Sequence, residues 1–421
     1  MSATTQPHLL RNSNFRWLLG GGLISMLGDQ FSMLALPWLV LSLTGDSLSL
    51  GIAVALMGAP RAVLILLGGT VADRYSPRRV LLLSKYANAI ILLALAGLLM
   101  LDQASLALAY AAALALGIAS AFAIPAGTAI LPQAVPPQAL QNANGLQMGT
   151  RQLSLLAGPL LAALVLGAHA GGQKTGMAAL AAAFAIDALT FLFSAWTLRQ
   201  VTLRPLAVAA AQGMWRDMAA GLAMVWRDVA LRSCYVYWAV VAFFVMGPLQ
   251  VALPVLASER LHGAAALGLL MGAHGAGTLA GMLASSLGGA WLRQRFGATL
   301  LLVDAIVGCL LMALGQINTA WQGAALLAVT GLLSGYVQVA IFTWIQRRVA
   351  PAMLGRAMAV FMGIFLGLAP LSAAATGALL RHLSVGELFC GGGALLLAAA
   401  VAAALWSDIA RIAGSPSVSS P

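Results

Sequence analysis

Apolar stretches of about twenty residues or more follow one another along almost the whole chain, separated by short polar connectors. The runs are Phe15–Leu43, Leu48–Ala72, Arg79–Leu101, Leu106–Leu131, Leu140–Gly167 and Met177–Leu198, then Ser233–Ala257, Ala264–Trp291, Ala298–Gln316, Trp321–Gln346, Leu354–Leu380 and Gly386–Trp406. A helix crossing a bilayer needs about 20 apolar residues, because each residue rises only about 1.5 Å. The pattern therefore predicts twelve transmembrane helices. Connectors such as Thr44–Ser47, Asp102–Ser105 and Asn318–Thr319 are too short to be domains. Consecutive spans must run antiparallel, side by side.

Composition supports this reading. Of the 421 residues 61% are hydrophobic and 8% charged, whereas a soluble domain carries about 25% charged residues to cover its surface. A soluble enzyme, a secreted disulfide scaffold and a disordered chain are excluded. The net charge of +11 is spread thinly between apolar runs, so it marks topology and not a nucleic-acid partner. With the N-terminus in the cytoplasm, the inner side carries Arg11, Arg16, Arg74, Arg78, Arg79, Lys85, Arg199, Arg204, Arg216, Arg227, Arg232, Arg293, Arg295, Arg347, Arg348, Arg356 and Arg411. The outer side then carries only Lys174, Arg260 and Arg381. Cationic loops stay inside, so both termini are expected to be cytoplasmic. The first run is too long for a signal peptide and is expected to remain as a span. Cys234, Cys309 and Cys390 are odd in number and widely spaced. They form no disulfide or metal framework and are expected to pack between helices.

The two halves look like copies. Ala35-Leu36-Pro37 recurs as Ala252-Leu253-Pro254, Leu50-Gly51 as Leu267-Gly268, Gly68-Gly69 as Gly288-Gly289, and Val135-Pro136-Pro137 as Val349-Ala350-Pro351, in order and at nearly constant offset. Because six spans are an even number, both copies would enter the membrane in the same direction, a parallel-repeat design used by transporters. The expected organisation is a six-helix bundle over 1–199, a linker over 200–231 and a second bundle over 232–421. In the linker Trp215, Met218, Leu222, Val225, Trp226 and Val229 recur at helical spacing, with charges elsewhere on the helix. This predicts a helix lying on the inner membrane surface.

After the second run comes Gly68-Gly69-Thr70-Val71-Ala72-Asp73-Arg74-Tyr75-Ser76-Pro77-Arg78-Arg79. This loop resembles the signature loop of the major facilitator superfamily. Glycines allow close helix approach, and Asp73 among Arg74, Arg78 and Arg79 makes a charge cluster that can be formed in one conformation and broken in another. Together with Gly69, these residues are the candidate conformational latch. Asn14-Phe15-Arg16-Trp17-Leu18, Gly28-Asp29-Gln30 and Leu43-Thr44-Gly45 resemble the opening of the branch that holds enterobactin-type siderophore exporters and macrolide efflux proteins. The resemblance implies an all-α integral membrane protein, twelve helices in two six-helix bundles, with a central substrate site. Gly158-Pro159 is similar to the antiporter motif of span five, with Ser154, Ala162 and Ala163 where glycines are common in that motif.

Ionisable groups inside the hydrocarbon cost about 3 kcal/mol on insertion scales, so each needs a reason. Asp29, in span one, and Arg61, after Pro60 in span two, fall at the midplane, where transporters hold substrate. They are either a cavity-facing pair that opens for substrate and proton, or a structural pair. Arg151 in span five is either a cationic wall for anionic substrates or a side chain snorkelling to the surface. Asp187, Asp304 and His274 are expected to be structural, the two acids because the resemblance places spans six and nine at the periphery. Gly277–Gly281 and Gly363–Gly367 are read as packing seams.

These readings point to a secondary active exporter, driven by the proton motive force and needing no cofactor or metal. No Gly-x-x-x-x-Gly-Lys-Ser/Thr loop for ATP is present in the sequence. The expected partners are a small amphipathic substrate, a siderophore or a macrolide-like drug, and membrane lipid, with the chain working as a monomer. A lysophospholipid transporter on the same fold is the alternative. An intramembrane enzyme would need a nucleophile–base or metal constellation, and the scattered histidines and cysteines supply none.

Overall fold

A computed structural model describes residues 9–167, 173–204, 214–261, 263–287 and 295–412. The main helices are α1 Ser13–Thr44, α2 Ser47–Tyr75, α3 Pro77–Met100, α4 Leu106–Ala134, α5 Leu140–Gly167, α6 Gln173–Arg199, α7 Met214–Arg227, α8 Val229–Gly247, α9 Leu253–Glu259, α10 Ala264–Leu287, α11 Phe296–Leu314, α12 Ala320–Arg348, α13 Pro351–Leu379 and α14 Val385–Trp406. No strand occurs among the described residues. Twelve segments are long and apolar enough to cross a membrane, with α8, α9 and the turn between them making one segment.

Polar residues at the connectors explain where the helices begin and end. The Asn12 side chain accepts from the Phe15 N–H at the start of α1, and Gly45 ends it at φ 62°, a left-handed conformation that glycine adopts without strain. Thr319 with Gln322 and Ser384 with Glu387 form reciprocal capping boxes at the starts of α12 and α14. Ser76, between α2 and α3, has φ 80°. A serine held there carries backbone strain of about 1–3 kcal/mol, so the signature loop is a tight, over-determined turn.

The chain forms two compact units. The first comprises residues 1–45, 56–210 and 263–268, and the second residues 46–55, 211–262 and 269–421. In the first, α1 packs on α6, α5 and α4, and α3 packs on α6 and α4. One end of this unit is closed by a cluster of Phe15, Ala72, Val80, Ile130, Leu131, Leu198 and Val201.

The second unit is built on an aromatic core. Trp238 lies 5.3 Å from Phe361, 5.4 Å from Tyr235 and 6.1 Å from Trp344, while Phe296 stacks on Trp344 at 5.2 Å. α8 ends in a π-turn, Pro248–Ala252, that leads into α9. Proline has no N–H to continue an α-helical ladder. Ahead of it, the Ser372 hydroxyl of α13 accepts from the Gly247 N–H at 2.8 Å and donates to the Phe243 carbonyl. An unbroken helix would pair those two groups with each other. A side chain at position 247 would collide with Ser372 and Thr376, so glycine is required there.

Asp228 caps α8 through the Ala230 and Leu231 N–H groups and forms a two-pronged ion pair with Arg348, both contacts at 2.9 Å. Partial burial alone would raise this carboxyl. The Arg348 and backbone hydrogen bonds outweigh burial and hold it below the ordinary carboxylate value. Within the same unit Arg381 forks onto Asp46 at 2.9 Å, and those hydrogen bonds hold the Asp46 carboxyl far below its usual range.

Several expectations need correcting. Lys85, counted above with the inner-surface charges, is a buried residue of α3, 9% exposed. Its phase explains this: Leu81, Ser84, Asn88 and Leu92 fall on the same buried stripe. Cys234 is buried, but Cys309 is exposed and Cys390 intermediate, so not every cysteine packs between helices. Gly277 and Gly281 of α10 do press against the backbone of α12 at Ala328 and Leu332, whereas Gly363 and Gly367 face open space on α13. Small-residue spacing identifies a possible seam but not whether a neighbour occupies it. The Gly288-Gly289 copy and Arg293 lie outside the described residues, as do the side chains of Trp215, Arg216 and Met218 in α7. Farther along α7, Val225 is buried while Leu222 and Trp226 are 52% and 58% exposed.

Candidate substrate and proton site

The first unit contains a polar seam where α1, α3 and α6 meet. Ser25, Gly28 and Ser32 lie on one face of α1, since steps of three and four residues return to the same side of a helix. At one end of that face, Lys85 Nζ of α3 donates to Ser25 Oγ at 3.2 Å. At the other end, the Ser32 hydroxyl donates to the Asp187 carboxylate of α6. Thr190 Oγ1 also meets Asp187 Oδ1, at 3.3 Å. Between them, Gly28 leaves room for α6: a side chain there would collide with Thr190 and Asp187.

Asp29 sits on the rim of this face. Unlike Ser25, Gly28 and Gln30, which are buried, it is exposed. Along the same line of α1 run Gly22, Met26 and Met33, which are half-buried to exposed. The charges of Lys85 and Arg61 both reach the Asp29 carboxylate. No ion pair joins Asp29 to Arg61 among the described residues, and Arg61 Nε is buried without a hydrogen-bond partner. The expected direct Asp29–Arg61 pair is therefore not formed here. The buried cation that the sequence reading missed is Lys85.

Asp187, expected to be structural, is 1% exposed and is held between α6 and α1 through Ser32. Asp304 is buried in α11, its Oδ2 without a partner, and His274 Nδ1 of α10 is likewise unpartnered.

Gly158 and Pro159 of α5 are buried, and Gly158 packs against the Gln30 side chain, the neighbour of Asp29. This contact sets the spacing of α1 and α5. Arg151 is exposed on α5. It shares a line with Asn144 and Met148, about 180° round the helix from Leu146, Leu153, Leu160 and Leu164 by the 100° step per residue. Those leucines are 39%, 52%, 37% and 69% exposed, the face suited to lipid. Arg151 thus lies on an exposed side of α5 opposite those leucines.

In the candidate latch, Gly69 is half-buried, Arg74 and Arg79 are exposed, and the Asp73 side chain lies outside the described residues. Arg74 lies over the Tyr75 ring at 5.8 Å. Arg78 donates to the Arg199 carbonyl at 2.5 Å, which ties the start of α3 to the end of α6. Nearby, Asn14 of α1 exchanges hydrogen bonds with Thr202. Arg78 is therefore engaged with a helix terminus inside its own unit.

Comparisons with known proteins agree with this architecture. The family profile described as Major Facilitator Superfamily matches residues 18–374. An uncharacterized MFS-type transporter of Sinorhizobium fredii is 28% identical over 278 residues, covering 65% of this chain and 65% of that one. The enterobactin exporter EntS of Citrobacter koseri is 25% identical over 349 residues, 81% of this chain and 79% of that one. Among solved structures, a D-xylose–proton symporter matches with a TM-score of 0.72 at 12% identity, covering 96% of this chain and 99% of that one. The nucleoside transporter NupG matches at 0.70 and 14% identity, covering 92% and 99%. At such identities the structures speak for the fold alone. With a family match over most of its length and twelve apolar helices long enough to span a bilayer, the chain belongs to the major facilitator superfamily and is a multi-pass membrane transporter, not an enzyme.

Proposed function

We propose that this transporter is a proton-coupled exporter of small amphipathic molecules, with a siderophore-type ligand first among the candidates. The observation that carries the reading is Asp29. It is an accessible carboxylate in the middle of a membrane-spanning helix, within reach of two cations and beside exposed Met33. A carboxylate in that setting exchanges a proton with the accessible side, and its charge state sets what the neighbouring cations can bind. Arg61 and Arg151 would hold the oxygen-rich, anionic part of a substrate, because a guanidinium offers a planar fork of donors. The methionines of α1 suit the apolar part, being flexible and polarizable.

Similarity to enterobactin exporters supports the direction of transport and the ligand class. Cationic residues crowd the connectors assigned to the inner side, which supports cytoplasmic termini, and similarity to bacterial exporters supports a bacterial inner membrane. The chain is taken to act as a monomer powered by the proton motive force.

Proteoliposomes with an imposed proton gradient test the proposal, with enterobactin and a macrolide as probes. Gradient-dependent movement of enterobactin, abolished in Asp29→Asn at equal protein level, is expected. Gradient-driven export that survives Asp29→Asn would remove Asp29 from coupling. Movement of lysophospholipid with neither probe carried would replace the substrate class.

A further inference from the structure

Behind the accessible Asp29 lies a buried cation that the transport reading does not yet use. Lys85 enters the first unit from α3, and its amine is held at Ser25, four residues or about 6 Å along the axis from Asp29. Its stem runs against the Phe191 ring, with the amine 5.6 Å from the ring centroid. Two carboxylates lie close by: Asp29, one turn along α1 from Ser25, on the rim, and Asp187, packed against Gly28 between them, in the interior. Neither forms a close ion pair with Lys85 among the described residues. Ser32 and Thr190 hold Asp187 in place. A single ammonium is therefore shared between an acid that faces the accessible side and an acid that does not.

We infer that Lys85 is the counter-ion of the coupling site: a positioning residue, anchored by Ser25, whose charge is divided between Asp29 and Asp187 and passes to Asp187 alone when Asp29 takes a proton. The inference rests on the reading of Asp29 as the coupling acid. It adds what happens to the charge left behind. While Asp29 is ionised, the Lys85 ammonium, anchored at Ser25, is drawn towards α1 as well as towards Asp187. Once Asp29 is neutral, Asp187 is the remaining partner, and the attraction concentrates at the α3–α6 contact. A local proton would thereby change how α1 is held against its neighbours, which is the mechanical requirement for coupling.

The other charged groups around Asp29 do not duplicate this role. Among the described residues, α6 offers Asp187 at this level, with Arg199 at its far end, and α2 offers Arg61. α5 offers Arg151, exposed on its own line, and α4 has no charged side chain. The remaining charges on or beside α1, Arg11 and Arg16, are three or more turns away along the helix.

The test uses the proton alone as probe. Full-length protein purified in detergent is titrated with acid, and bound protons are followed with an indicator dye. Each variant is measured with and without Asp29→Asn, so that the difference isolates the Asp29 step. Lys85→Met removes the cation, and the Asp29 step should move to higher pH by about one unit or more, because the carboxylate loses an attracting charge. Lys85→Arg keeps the charge and should leave the step near its wild-type position. Asp187→Asn frees Lys85 to serve Asp29 alone, and the step should move to lower pH. Ser25→Ala preserves every charge, releases the Lys85 anchor and should broaden or shift the step, a second readout should Lys85→Met not yield folded protein. A purely structural Lys85 would lower protein yield or Tm and leave the step in place. A step that stays put in Lys85→Met and Asp187→Asn overturns the inference. Absence of any Asp29-dependent step in the parent protein overturns the underlying reading of Asp29 instead.

Discussion

The two units differ in what fills their interiors, although short motifs recur between the two halves of the chain. Adding the offset of 217 that relates Ala35-Leu36-Pro37 to Ala252-Leu253-Pro254 converts Gly21, Ser25 and Asp29 into Trp238, Ala242 and Met246. The first unit keeps its helices close with glycine and serine and admits Lys85 and Asp187 into the seam. The second fills the corresponding stretch of span seven with Trp238, ringed by Tyr235, Trp344 and Phe361. Aromatic packing contributes stability through buried area and ring geometry. Buried charges cost desolvation and contribute mainly specificity or switching. The contrast sets a polar seam along α1 in the first unit against an aromatic core along span seven in the second. Span seven differs in its backbone too: where α1 has Phe31 in a continuous helix, the same offset gives Pro248, which opens a π-turn beside the Gly247–Ser372–Phe243 hydrogen bonds.

Four substitutions would break or sharpen this contrast. The largest effect is expected at Trp238→Ala, which removes a fully buried ring and should cost about 3–5 kcal/mol. It should be read as a steep fall in detergent Tm with loss of folded protein. If Tm barely moved, the second unit's core would not be the stabilising element. Ser372→Ala comes next. It removes the hydroxyl that serves both Gly247 and Phe243, at about 1–3 kcal/mol, and proteolysis or hydrogen exchange around 243–252 should increase. Ser32→Ala should cost a similar or smaller amount in stability. Its effect on proton-driven exchange should be larger than on Tm, since it strips a hydrogen bond from Asp187. The reverse ranking would make the polar seam of the first unit structural.

The smallest effect is expected at Asp46→Asn. Arg381 is about half exposed, so solvent screens the pair and its contribution should be about 1 kcal/mol or less. The sign follows from the depressed Asp46 carboxyl. A group whose folded-state affinity for protons is lowered stabilises the fold above its unfolded pKa and loses that contribution as pH falls. The Tm difference between wild type and Asp46→Asn should therefore be present at neutral pH and shrink below about pH 4. A difference that persisted in acid would show that the loss is steric and not ionic.

Much of the architecture was legible along the chain because hydrophobicity is a local, additive signal. Twelve runs gave twelve spans, and connectors with serine, threonine, asparagine or glycine became caps. The site was legible in part. Asp29, Arg61 and Arg151 stood out as charges in apolar runs, and Arg151 shares an exposed line with Asn144 and Met148. Lys85 escaped notice because it follows the basic loop by only six residues and counts with it on charge alone. The phase of α3, which sets it among Leu81, Asn88 and Leu92, was the available signal.

What the amino-acid order determined by itself was membrane residence, span number and membership of the major facilitator superfamily. Each follows from runs, spacings and motifs that need no partner to be read. Only the tertiary structure decided which charges meet. Ser25 and Lys85 are 60 positions apart, Ser32 and Asp187 155, and Asp46 and Arg381 335. Such pairings depend on the rotation of each helix about its axis and on which neighbour it faces. In lipid those are settled by small-residue contacts such as Gly28 against Thr190 and Gly158 against Gln30. A difference of 100° per residue decides whether a carboxylate lines the accessible face or the buried one, and that separates Asp29 from its neighbours Gly28 and Gln30.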